Sequence, residues 1–113
     1  MRVDPKRPQS GRKTQHGGLD LAGNMGDPIK AAMSGTVKSV ARNSTLGNFI
    51  MLSHGDYTTI YAHLSECSVR PGAEVRQGEI IGKVGDTGYT TGPHLHFETF
   101  YKGERVNPLD LLK

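Results

Sequence analysis

The stretch Thr91-Gly92-Pro93-His94-Leu95-His96-Phe97-Glu98 decides how the rest of the chain is read. Two histidines one residue apart share a side only when the backbone is extended, because strand side chains alternate with a period of two; on a helix they would diverge. The flanks favour the strand. Leu95, Phe97, Thr99 and Tyr101 alternate with His94, His96, Glu98 and Phe100, and Pro93 stands where a strand can begin. One face is therefore mostly apolar and the other carries two imidazoles. Imidazole is the commonest protein ligand for metals and the commonest general acid or base. A bare His-x-His is also compatible with two half-exposed strand histidines, so the remainder of the chain has to decide.

At 113 residues the chain has the size of one domain and can bury a core without covalent staples. Its 15 glycines and 6 prolines imply many tight turns, which suits short strands and argues against long helices. A net charge of +3 permits weak attraction to anionic polymers but falls far short of a nucleic-acid-binding surface, and the aromatic residues form no stacking platform. Cys67 is the only cysteine, which excludes an internal disulfide and a Cys-rich zinc site. Any zinc must then be held by His and carboxylate, and Cys67 itself is expected to fill a small apolar site below a hairpin. No apolar run approaches the ~20 residues of a membrane span. No signal peptide precedes Arg2, so a fragment of a longer exported protein is expected.

Residues 1–15 are rich in Arg, Lys, Pro, Gln and Ser and read as an arm or loop over the surface. In His16-Gly17-Gly18-Leu19-Asp20 the two glycines make a helix costly, by about 1 kcal/mol each relative to Ala, so an extended or turning backbone is expected. Paired glycines would also let main chain pass close to a metal site. Taken alone, His-x-x-x-Asp is as compatible with a structural role as with a ligand pair. Residues 26–32 and 35–41 read as two short strands joined by a turn at Met33-Ser34-Gly35, and residues 42–47 as a polar loop. Residues 48–54 and 58–64 read as a hairpin turned at Gly55-Asp56. His54 falls at the mouth of that turn, as a rim residue. In the second strand Ile60, Ala62 and Leu64 are expected on the core face, leaving Thr59, Tyr61 and His63 opposite. Pro71-Gly72 has the order of a type II turn, and residues 74–84 hold two further short strands. Residues 85–92 form a Gly- and Thr-rich loop that lacks the Gly-Lys-Ser/Thr ending of a phosphate-binding loop. Residues 105–113 close the domain, with one helical turn expected after Pro108.

Three pieces now stand together: His16-x-x-x-Asp20, Tyr61-Ala62-His63-Leu64 and Gly92-Pro93-His94-Leu95-His96-Phe97-Glu98. In that order and spacing they resemble the lysostaphin/LytM-type zinc endopeptidases, which cut peptide cross-links of bacterial peptidoglycan. Gly35-Thr36-Val37, Gly47-Asn48, Val75-x-x-Gly78, Ile81-Gly82, Gly85-x-Thr87-Gly88 and Asn107-Pro108 agree with the same pattern, and the likeness covers nearly the whole chain. The resemblance implies a mainly β, single-domain antiparallel sheet of the LytM/lysostaphin-like, duplicated-hybrid-motif type, with a metal site in a groove on its concave face. It implies one zinc ion held by His16, Asp20 and His96, with His63 and His94 as unliganded catalytic histidines. Two His and one Asp leave a fourth tetrahedral position for water, as a hydrolase requires. There is no His-Glu-x-x-His motif, so the histidines must handle the water proton; which of His63 and His94 is the base stays open. Glu98 lies on the same face and could orient a ligand histidine, though solvent exposure is the plainer expectation.

The domain division that follows is residues 1–15 as an arm packing on the catalytic domain and residues 16–113 as the zinc endopeptidase domain. The loops at 42–47 and 85–92 and the arm are the candidate groove walls. The expected partner is the peptidoglycan cross-bridge, with no nucleic acid, no membrane insertion and a monomeric state. The expected location is extracellular, periplasmic or cell-wall associated, as a fragment or a phage-borne domain, since the strand that such proteins carry ahead of a segment like Arg2-Val3-Asp4-Pro5 does not precede it here. A non-catalytic wall-binding or hydrolase-activator module on the same fold is the alternative. A D-Ala-D-Ala carboxypeptidase with the same ligand types is a further one, disfavoured because such enzymes carry helices.

Overall fold

A computed structural model describes residues 18–88 and 92–106, with backbone alone at residues 18–20 and 22. The described residues form nine strands and no helix. They are β1 (Gly18–Ala22), β2 (Pro28–Lys30), β3 (Gly35–Asn43), β4 (Gly47–His54), β5 (Tyr57–Cys67), β6 (Glu74–Val75), β7 (Ile80–Val84), β8 (His94–Tyr101) and β9 (Glu104–Val106). All pairings are antiparallel, and the main path through the sheet runs β1-β8-β5-β4-β3-β6. The expected antiparallel β fold is the one observed. With no helix among these residues, none of them forms a helix able to cross a membrane.

β4 and β5 form the expected hairpin, closed at Gly55-Asp56 with His54 opposite Tyr57. Gly55 has φ of 79°, and Asp56 stays at negative φ, the signature of a II′ turn, whose twist matches that of the strands. The expected β2 and β3 are both present but do not pair with each other. β2 pairs with β7, whereas β3 pairs with β4 and β6. The segment between β2 and β3 therefore carries the chain from one part of the sheet to another. β9 was not anticipated; it returns along β8 after a turn in which Lys102 and Gly103 both have positive φ.

β5 is long enough to serve two partners. Its first half, Tyr57 to Ala62, pairs with β8, and its second half, Leu64 to Cys67, pairs with β7. The change of partner coincides with a β-bulge. Ile50 faces Tyr61 and Asn48 faces Leu64, so Ala62 and His63 together oppose Phe49. His63 takes φ of 65°, a left-handed value that costs a non-glycine residue roughly 1–2 kcal/mol.

The bulge corrects the expected faces of β5. Tyr61 lies in the core beside Phe97, with ring centroids 5.3 Å apart, while Ile60 and Ala62 pair with Glu98 and His96. Leu64 rejoins the core because the inserted residue reverses the alternation. All six residues from Thr59 to Leu64 are buried, so hydrophobic alternation alone could not tell one face from the other.

The core joins Leu21, Ile50, Leu52, Leu95 and Phe97 to Ile29, Ala31, Val37, Val75, Ile81 and Val84. Burying each larger aliphatic or aromatic side chain contributes about 1.5–3 kcal/mol. Cys67 is half-buried against this core, at the far end of β5 opposite Gly82.

Candidate active site

Alternation along β8 sends Leu95 and Phe97 into the core and leaves His94, His96 and Glu98 on the other face. The bulge brings His63 to that face. Its ring centroid is 5.0 Å from that of His94 and 5.8 Å from that of His96. Without the inserted residue, alternation would aim position 63 at the core with Tyr61. A local departure from regular strand geometry thus assembles three imidazoles.

Each ring has one nitrogen committed to a protein oxygen. His63 Nδ1 donates to the Thr87 carbonyl at 2.7 Å, and His94 Nδ1 donates to the Gly92 carbonyl at 2.9 Å. A carbonyl can only accept, so Nδ1 carries the proton in both rings and Nε2 is the basic nitrogen of each neutral imidazole. His96 is held from the other side, with Nε2 2.7 Å from Glu98 Oε2. Glu98 is not the solvated residue that was expected. It is 9% exposed, and its second oxygen lies 3.4 Å from Arg105 Nη2. The His96 hydrogen bond, foremost, and the charges of His96 and Arg105 hold the Glu98 carboxyl below its ordinary range, against the opposing effect of burial.

The loop that receives His63 is clamped to the hairpin. Thr87 Oγ1 donates to the Leu64 carbonyl at 2.7 Å and accepts from the Asn48 amide at 3.1 Å, while the Leu46 carbonyl accepts from the His63 amide at 2.7 Å. Gly47 and Gly88 have φ of 65° and 79°, and a Cβ on Gly88 would collide with the backbone of Leu46 and Gly47. Two glycines are needed here because two loops touch main chain to main chain.

The remaining expected ligands are placed only in part. Asp20 stands directly opposite His96 in the β1–β8 register, which brings the two Cα positions onto facing sites of adjacent strands. His16 lies outside the described residues, as do the arm at residues 1–15, Asn107 and the turn expected after Pro108. Among the described residues no three His, Cys, Asp or Glu side chains converge to hold a metal ion by themselves. Of the expected ligands, the described residues include two that could hold a metal at this face: His96, an imidazole whose Nε2 is tied back by a carboxylate, and Asp20, at the paired position on β1.

His54 takes no part in the cluster. Its Nδ1 donates to the Ser34 carbonyl at 2.8 Å, and its Nε2 is 2.8 Å from Thr59 Oγ1, which leads by a 3.1 Å hydrogen bond to the Tyr61 hydroxyl. Tyr61 in turn accepts from the Ala32 amide at 2.9 Å. His54 is thus a structural tie between β4, β5 and the segment that follows β2. A cavity of about 630 Å³ lies on the core side of β8, lined by Leu21, Tyr61, Leu95 and Phe97 among others. It contains none of the histidines, so cavity size does not locate the chemistry.

Sequence reasoning missed Arg105 and the bulge. Gly47-Asn48 and Thr87-Gly88 are legible in the sequence as motif residues, but their work, presenting a carbonyl to His63, is visible only once the two loops meet.

Comparison with known proteins agrees with this geometry. The chain is 43% identical over 97 residues to the DD-carboxypeptidase/endopeptidase Mpg of Neisseria meningitidis, a match that takes in 85% of this chain and 22% of that protein. It superposes on the catalytic domain of the antimicrobial peptidase lysostaphin from Staphylococcus simulans with a TM-score of 0.80 and 37% identity, covering 87% of this chain and 80% of that one. It superposes on a zinc-containing peptidase from Vibrio cholerae with a TM-score of 0.81 and 35% identity, covering 97% of this chain and 34% of that one. The chain thus spans about a quarter of the length of the curated relatives it matches. The family model described as peptidase family M23 matches residues 14–108, and with the fold and the histidine face it establishes that the chain belongs to peptidase family M23.

Proposed function

We propose that this chain is a zinc-dependent endopeptidase domain that hydrolyses peptide cross-links of bacterial peptidoglycan. The observation that carries the reading is the convergence of His63, His94 and His96 on one face, each with one ring nitrogen fixed by a protein oxygen. Imidazoles tied in this way have a set orientation and a set basic nitrogen, which is what ligation and proton transfer require and what two half-exposed strand histidines would lack. The names of the relatives, peptidases of peptidoglycan and a zinc-containing peptidase, point the same way.

In this proposal His16, Asp20 and His96 hold the metal, residues 16–113 form the catalytic unit, and residues 1–15 are an arm beside it. When bound, zinc supplies polarisation of the scissile carbonyl and lowers the pKa of the attacking water toward ~7. His63 and His94 then divide the proton work through their Nε2 atoms. One accepts the proton as the nucleophile attacks and returns it to the leaving amine; the other hydrogen-bonds the oxygen on which charge develops. The carbonyls of Thr87 and Gly92 support this role, because an Nδ1–H···O=C bond strengthens when its ring becomes charged. The working site is the periplasm, cell wall or extracellular space, where the substrate lies.

The test separates ligation from catalysis. His94→Ala is expected to keep zinc and lose at least 100-fold in turnover of a cross-linked muropeptide dimer, on the order of the usual contribution of a general base. Asp20→Ala is expected to lower zinc content by elemental analysis. His54→Ala is the control: it keeps zinc and most activity and loses stability only. Equal activity losses in His54→Ala and His94→Ala, or full zinc in Asp20→Ala, would defeat the assignment.

A further inference from the structure

Glu98 and Arg105 are charged groups that the proposed reaction does not itself use, and their placement is specific. Glu98 follows His96 by two residues on the same face of β8, so its carboxylate meets the far nitrogen of the imidazole rather than the near one. Its other oxygen is met from a different element. Arg105 stands on β9 opposite Phe100, with its guanidinium 5.4 Å from the centre of the Phe100 ring and 3.4 Å from Glu98 Oε1. The aromatic ring supports the flat guanidinium, which reaches Glu98, two residues from Phe100 along β8. Glu98 is thus paired through both oxygens, as a carboxylate that is 9% exposed must be.

We propose that Glu98, anchored by Arg105 of β9, is the positioning residue that fixes the ring of His96 for metal binding. A carboxylate accepts only, so it holds the proton of His96 on Nε2 and makes Nδ1 the basic nitrogen of the neutral ring, on a residue that pairs with Asp20 across β1 and β8. The short strand β9, through Arg105, thereby helps to set the affinity of the metal site. In this proposal both residues act through His96. The proposal rests on the reading of His96 as a metal ligand.

The experiment uses the whole chain and two readouts. Zinc affinity is measured by competition with a chromogenic chelator, and the tautomer of His96 is read from the imidazole ¹⁵N shifts of the zinc-free protein. Glu98→Ala is expected to weaken zinc by about 10–100-fold and to convert His96 from the Nε2–H form to a mixture, as loss of an outer partner does at other metal sites. Arg105→Met, which keeps Glu98 and the apolar stem over Phe100, is expected to weaken zinc by a smaller factor while leaving the fold intact by circular dichroism. This second variant decides the matter if Glu98→Ala fails to fold. Unchanged zinc affinity together with an unchanged tautomer in the folded variants overturns the proposal. His96→Ala distinguishes the two layers: if it keeps full zinc affinity, the ligand reading itself fails, whereas loss of zinc in His96→Ala without loss in Glu98→Ala removes only the positioning role.

Discussion

His63 carries a backbone conformation that its side chain disfavours. Its φ of 65° belongs to the region where Cβ crowds the following carbonyl, and β5 keeps a histidine there because the same distortion delivers the ring to His94 and His96. The consequence is measurable. His63→Ala and His63→Gly both lose the ring and its hydrogen bond to Thr87, so any difference between them reports the backbone. Urea titration should find His63→Gly more stable than His63→Ala by about 1 kcal/mol, the reverse of the order these residues show in regular strands. An alanine variant as stable as the glycine one would mean that the strain is not stored at this position.

Between elements, the decisive contact joins the start of β4 to the loop ahead of β8. Gly88→Ala forces a Cβ into the backbone of Leu46 and Gly47 at a left-handed φ, and should cost roughly 2–4 kcal/mol. It should also cut activity, because the Thr87 carbonyl is carried away from His63. Gly72→Ala is the matched control. Gly72 also has positive φ, but a Cβ there meets open space, so the cost should stay near 1 kcal/mol with activity unchanged. Equal effects of the two variants in thermal melts and turnover would show that the loop contact is not what holds His63. The same scale separates what the sequence makes legible from what it hides. β8 is legible because only one of its faces is apolar where the histidines stand, so a period of two reads directly onto the structure. The β4–β5 hairpin is legible from Gly55-Asp56. The faces of β5 are not, since both are buried and the bulge falls where the strand changes partner from β8 to β7. The destination of β2 is hidden for a related reason: a turn between two strands does not state that they pair. Arg105 is hidden because its role exists only once β9 lies against β8.

At the scale of the whole molecule, one core supports both the sheet and the histidine face, and Tyr61 ties its interior to the segment after β2. Burial, outweighing the hydrogen bonds from Ala32 and with Thr59, raises the Tyr61 phenol above its ordinary pKa of about 10. The native state therefore retains a proton that the unfolded chain releases near pH 10. The stability this contributes is complete below the unfolded value and is lost as pH rises from there through the folded one. Tyr61→Phe should be less stable at pH 7, by about 1–2 kcal/mol for the unpaired Ala32 amide. It should also lose less stability than the parent protein between about pH 9 and pH 11, and parallel declines in urea midpoint would contradict that account. In the proposed function, the histidine face supported by this core gives the domain its chemistry. The most direct test is mass spectrometry of the peptides released from purified sacculi by the zinc-loaded protein, using one directly cross-linked wall and one glycine-bridged wall, with a chelated sample and His94→Ala alongside. The account predicts new amine-bearing peptide ends from at least one wall, absent in both controls. Release that persists in the His94→Ala or chelated samples, or no release from either wall with zinc confirmed bound, would contradict it.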